Sequence, residues 1–148
     1  MTQPELNGVT RLDESRAFSL YAASKEIIRL YKPHLDPLDL TYTQYIALVA
    51  LWEKGKISVK ALGECLYLDS GTMTPVLKKL ESKQYIRRSR APQDERSVII
   101  TLTDEGMALK EKASQIPASM SGCIMLTRQE AEILHGLLSK ILIGLENE

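Results

Sequence analysis

The 148-residue sequence predicts a mainly α-helical fold that carries one small β-hairpin. Three observations predict it. Apolar residues recur at helical spacing over most of the chain. Ser, Thr and Asp stand ahead of these segments, where helix caps belong. One alternating apolar stretch, "SVIITL", follows a charged turn near the middle. The length suits one domain with a real core and is too short for two comfortable ones.

The first helix is expected from about Asp13 to Tyr31, where Leu20, Tyr21, Ser24, Ile27, Ile28 and Tyr31 recur and Pro33 stops the run. Thr41 and Gln44 make a capping box for a second helix. Its Tyr45, Leu48, Val49 and Trp52 share a face, and Gly55 ends it. Ser58 caps a short third helix, "VKALGECLYL", and Asp69 or Ser70 a fourth, "GTMTPVLKKLESK". Pro75 is expected near the start of that helix, where a missing N–H costs least. "YIRRS" and "SVIITL" form the strands, with "RAPQDE" as the turn between them. Thr103 caps a fifth helix that Pro117 kinks or ends. Thr127 and Glu130 box the last helix, whose Ile133, Leu134, Leu137, Leu138, Ile141 and Leu145 form a broad apolar stripe.

Successive short helices joined through "LDSG" suggest a helix-turn-helix, and a hairpin directly after it is a wing. Residues 36–103 are therefore expected to form a winged helix-turn-helix that binds DNA. Residues 1–35 and 104–148 are expected to form a helical dimerisation region in the same integrated domain. The alternative for these end helices is completion of a monomeric core.

Net charge is zero, from 19 basic and 19 acidic residues, yet the distribution is uneven. Between Lys56 and Thr101 nine basic residues face five acids, a local excess of four positive charges. A basic segment of this kind is either a solvated face or the footprint of a nucleic-acid contact. No apolar run approaches the roughly 18 residues of a membrane span. The stretch "MTQPELNGVTRLDESR" lacks the basic-then-apolar pattern of a secretory signal. The expectation is a cytoplasmic protein with no membrane partner. Cys65 and Cys123 show no metal-ligand spacing, and neither do His34 and His135. No metal, cofactor or catalytic constellation is expected, so the chain does not look like an enzyme. Cys65, beside apolar residues in "LGECLYL", is expected to be a buried, inert thiol.

Double-stranded DNA is the expected partner, with the fourth helix in the major groove. Ser70, Thr72 and Thr74 offer short hydroxyls to base edges, and Met73 could meet a thymine methyl. Lys78 and Lys79, further along, suit phosphates. Plain helix capping is the other reading of the hydroxyls, Ser70 above all. In the wing, Arg96 is expected at the hairpin tip, where a guanidinium could enter a minor groove. Asp94 would hold it in a bidentate pair. Arg87, Arg88 and Arg90 are placed for flanking phosphates, and a surface ion pair without DNA is the alternative for Asp94 and Arg96.

With these residues in view the chain resembles the MarR-family transcriptional regulators, and within them the organic hydroperoxide resistance regulators called OhrR. The resemblance rests on "FSLYAASKE", "LYKPHLD", "LTYTQYIALVALWE", "VKALGECLYLDSGTMTPVLKKLE" and "RRSRAPQDERSVIITLT", in order over about residues 12 to 117. It implies a homodimeric repressor of a pseudo-palindromic operator, released when a first-helix cysteine is oxidised by an organic hydroperoxide. In that branch the reactive cysteine immediately precedes Phe18, where this chain has Ala17, which has no sulfur to oxidise. Tyr21, Tyr31 and Tyr42 match the tyrosines that surround the thiolate, and Cys123 resembles the resolving cysteine of a two-cysteine subgroup. Thr43 stands where the family usually has proline. Two readings of Ala17 are open. Either it replaces the cysteine by design, locking a sensor in its reduced, DNA-binding form, or a natural regulator has lost peroxide sensing and takes a small ligand. A winged-helix module for protein contacts is a third alternative.

Overall fold

The computed structural model describes residues 4–147; residues 1–3 and 148 of the expected dimerisation region lie outside the described residues. Seven α-helices and a three-stranded antiparallel sheet follow one another among the described residues. Helix α1 runs over Arg16–Leu35, capped by Ser15, whose hydroxyl accepts the Phe18 N–H at 3.1 Å. The helix does not stop at Pro33 but passes through it. A proline has helical φ already, and it forfeits only its own N–H bond in this last turn. Beyond it the Asp36 N–H donates to the Lys32 carbonyl and the chain tightens into a short 3-10 turn at Asp36–Leu38.

Helix α2, Tyr42–Lys54, starts at the Thr41/Gln44 capping box, with both reciprocal bonds formed. Strand β1, Lys56–Ser58, is an element the sequence reading did not find. Its three residues are too few for a visible alternation, and it forms because it pairs with a strand forty residues on, Ile57 opposite Ile100. Helix α3, Val59–Leu66, is capped by Ser58 and ends at Tyr67 in the left-handed conformation. Helix α4, Ser70–Ser82, is capped by Asp69, which accepts the Thr72 N–H at 2.7 Å. Pro75 lies inside α4, not at its start. The carbonyl it leaves without a donor is that of Gly71, an exposed residue, so water can satisfy it.

Strands β2, Ile86–Ala91, and β3, Asp94–Leu102, form the wing. The turn is shorter than expected, only Pro92 and Gln93, because both strands extend into the charged segment. Helix α5, Asp104–Ala113, is capped by Thr103. Pro117 neither kinks nor ends it but opens a separate helix, α6, Ile116–Ser121, from the first turn, where proline is tolerated. Helix α7, Arg128–Glu146, begins at the Thr127/Glu130 capping box.

The core lies between α2, α3, α4 and the sheet, with Leu48, Leu51, Leu62, Leu80 and Ile100 fully buried. Helix α5 packs onto this body through the buried Leu109 and Ala113. The Trp52 indole N–H donates to the Gly106 carbonyl at 2.9 Å. A Cβ on Gly106 would stand 2.1 Å from the Tyr85 carbonyl oxygen, so only glycine lets α5 approach this closely. Helix α7 is different: none of its residues is buried.

Candidate nucleic-acid interface

Helix α4 is packed through Met73, Val76, Leu77 and Leu80, spaced three and four apart. Met73 is therefore a core residue, 1% exposed, and is not the base contact expected from the sequence, because its side chain cannot reach a thymine methyl. Ser70, Thr72, Thr74, Lys78 and Lys79 are all exposed. The Thr74 hydroxyl donates to the Ser70 carbonyl at 2.8 Å, which leaves its oxygen free to accept from a ligand. The Thr72 N–H holds the Asp69 carboxyl below the usual carboxylate range, so the cap stays ionised at neutral pH.

Ser70, Thr74, Arg88 and Arg96 line a single groove of about 1000 Å³, together with Lys60 and Ser97. The groove runs between α3, α4, the wing and the end of the last helix, where the Tyr67 hydroxyl donates to Glu146 at 2.7 Å. Thr72 and Lys79 lie on the other flank of α4, and Lys78 points outward between them, as helical spacing requires.

The wing is built differently from the expectation in three ways. Arg96 is not at the tip, which is Pro92–Gln93, but in β3. There the register breaks: Arg90 pairs with Val98 and Ala91 with Asp94, so Glu95, Arg96 and Ser97 form a bulge without partners in β2. A bulge re-aims the side chains it carries. Asp94 does not grip the Arg96 guanidinium either. Its carboxylate accepts the backbone N–H of Arg96 at 3.0 Å and the Ser97 hydroxyl at 3.4 Å, which fixes the bulge. Lastly, Arg88 and Arg90 are engaged within the chain. Arg88 donates twice to Glu81, at 2.9 and 3.1 Å, and Arg90 donates to the Glu95 carbonyl.

The basic footprint shrinks accordingly. Lys83 is also engaged, donating to the Asp39 carbonyl and, at 3.0 Å, to the Gln44 amide oxygen. Of the nine basic side chains, three are thus held internally, and Lys56, Lys60, Lys78, Lys79, Arg87 and Arg96 have no ion-pair partner among the described residues.

The residues expected around a sensor thiol are not gathered in one place. Tyr31 and Tyr42 meet edge to face with ring centres 5.0 Å apart. Tyr45, which the sequence reading assigned only to the core face of α2, completes this cluster at 6.0 Å from Tyr31. Burial pushes the Tyr42 and Tyr45 phenols above their usual range. Ala17, Phe18 and Tyr21 sit at the opposite end of α1, all exposed. Fourteen residues of helix place Ala17 about 21 Å along the axis from Tyr31, on the same face. Cys123, just beyond α6, is exposed, with its backbone N–H on the Met120 carbonyl. Cys65 is exposed as well, on the outer side of α3, so its expected burial is incorrect; the apolar neighbours that suggested it point inward while the cysteine does not.

A helix-turn-helix whose reading helix shares a groove with an arginine-bearing wing defines a winged-helix DNA-binding regulator. Comparison with known proteins agrees. Residues 29–113 match the family model described as transcriptional regulator SarA/Rot. The chain is 48% identical over 136 residues to the organic hydroperoxide resistance transcriptional regulator of Bacillus subtilis, covering 92% of this chain and 90% of that one. It is 42% identical over 127 residues to the regulator SarZ of Staphylococcus aureus, covering 85% and 86%. Reduced AbfR bound to DNA superposes with a TM-score of 0.76 at 31% identity, over 88% of this chain and 90% of that one. The chain belongs to the MarR-family transcriptional regulators, in the redox-sensing branch that holds OhrR, SarZ and AbfR. The family is one of regulators, not of enzymes. No helix among the described residues is long and apolar enough to cross a membrane.

Proposed function

We propose that the protein is a homodimeric repressor built to release its operator on exposure to organic hydroperoxides, and that Ala17 disables that release. The observation that carries this reading is the layout of α1. Ala17 and the Tyr31–Tyr42–Tyr45 cluster share a face but lie about 21 Å apart, too far to form one pocket in one chain. Two copies packed with their α1 helices antiparallel bring residue 17 of one against the tyrosines of the other. The exposed apolar side chains of α1, Phe18, Leu20, Tyr21 and Ile28, supply the contact. Residues 1–35 and 104–148 then form the dimerisation region and 36–103 the DNA-binding region.

On DNA, Ser70, Thr72 and Thr74 face base edges, Lys78 and Lys79 take phosphates, and Arg96 enters the minor groove from its bulge, with Asp94 fixing the backbone there. A cysteine at position 17 would stand in the first turn of α1, where the N-terminal dipole favours a thiolate. That thiolate attacks a peroxide oxygen, an alcohol leaves, and a sulfenic acid remains, for which the exposed Cys123 thiol is the resolving partner. Alanine performs none of these steps, and the dimer keeps its reduced geometry.

The test is operator binding by fluorescence anisotropy, with DNA from the gene's own upstream region, for this chain and for Ala17→Cys. Both should bind, and only the cysteine variant should release on adding an organic hydroperoxide. If Ala17→Cys stays bound, hydroperoxide sensing is wrong and a small ligand becomes the signal to seek.

A further inference from the structure

We infer that Glu81 and Arg88 form a latch that sets the angle of the wing against the reading helix, which makes both of them positioning residues for operator binding. The inference rests on the DNA-binding reading above but concerns neither the sensor nor a direct contact.

The geometry follows from two periodicities. On β2 the side chains of Ile86, Arg88 and Arg90 share one face, and Ile86 is buried, so that face looks towards the helices. Arg88 stands opposite Ile100, which is fully buried. On α4, Glu81 follows Ser70 by eleven residues, close to three full turns, and so lies on the same flank as Ser70 and Thr74. The two flanks meet at one fork-to-fork pair, with both guanidinium bonds on the two carboxylate oxygens. Beyond Arg88 the inward face of β2 offers only Arg90, which turns to the Glu95 carbonyl of its own wing. The pair is therefore the outermost polar tie between wing and reading helix. Arg88 lines the same groove as Ser70, Thr74 and Arg96.

A reading helix in a major groove and an arginine in the adjoining minor groove fit one duplex only at a fixed separation. An exposed ion pair adds little to folding stability. Its geometry can still matter, because a bidentate carboxylate–guanidinium pair admits one orientation where a single lysine bond would swivel. The Arg88 guanidinium holds the Glu81 carboxyl below its usual range, so the latch stays charged down to acidic pH.

Operator affinity of Glu81→Gln gives the sharpest test. By Coulomb's law alone, neutralising an acid beside DNA tightens binding; the latch requires that it weaken. Both Glu81→Gln and Arg88→Gln should lose about five- to tenfold in affinity with the salt dependence unchanged. In the DNA-free protein, amide exchange over residues 86–102 should rise in each single variant, and fall back in the charge-swapped Glu81→Arg/Arg88→Glu double variant. The latch is overturned if Glu81→Gln binds as tightly as the parent or tighter, while Arg88→Gln weakens binding and lowers the salt slope by about one. That pattern makes Arg88 a phosphate contact. Unchanged amide exchange in both single variants also overturns it. Because exchange is read without DNA, a failure of operator binding in the parent would leave the latch to stand or fall separately.

Discussion

The DNA-binding half and the last helix have the same kind of sequence and opposite fates. Leu48 and Leu51 of α2, Leu62 of α3 and Leu80 of α4 are wholly buried. Ile133, Leu137, Ile141 and Leu145 of α7, at equally regular spacing, are 63%, 55%, 47% and 62% exposed. Amphipathic periodicity states that a face is to be covered, not by what. In the first region the cover is the rest of the chain. In the second it must come from another molecule, since contiguous apolar stripes of this size are rarely left in water.

The largest effect separates these two regions at α7. Leu137→Asp should dissociate the dimer, because each leucine buried at an interface contributes about 1.5–3 kcal/mol and two-fold symmetry counts the change twice. Sedimentation velocity should show monomer at concentrations where the parent is dimeric, with helix content retained and operator binding lost. A dimer that survives Leu137→Asp would place the interface elsewhere and return α7 to an unexplained exposed helix.

Next in size is the covered region itself. Leu51→Ala removes a fully buried side chain of α2 from the core and should cost about 2–5 kcal/mol, read by urea denaturation. The loss should persist in a Leu137→Asp background, since the residues belong to separate packing units. Strong coupling between the two would mean that the DNA-binding half is not self-sufficient.

What the sequence revealed divides along a similar line. Caps at Thr41, Ser58, Thr103 and Thr127 were legible because each bond closes within three residues, and all of them form. At α4 the sequence allowed Asp69 or Ser70, and the structure selects Asp69. The winged fold was legible from the order of such elements. Less visible was everything that depends on a distant partner. Strand β1 exists only through β3, the pairing of Arg88 with Glu81 joins a strand to a helix, and the β3 bulge cannot be seen without the strand it fails to match. Met73 is another kind of miss. Its spacing to Val76, Leu77 and Leu80 marks it as core, and its position among three hydroxyl residues drew it into the base-reading set instead.

The smallest of these effects isolates DNA binding from both kinds of packing. Arg96 has no ion-pair partner among the described residues, and its backbone is fixed by Asp94 instead of its guanidinium. Arg96→Ala should therefore leave the denaturation midpoint and the dimer unchanged while costing about 1–3 kcal/mol of operator affinity. An arginine that reads a narrow minor groove loses sequence discrimination along with affinity, so the penalty should be larger on the operator than on unrelated DNA. Equal penalties on both would make Arg96 one more phosphate contact. A loss below a few tenths of a kcal/mol on the operator would show that the bulge aims it away from DNA.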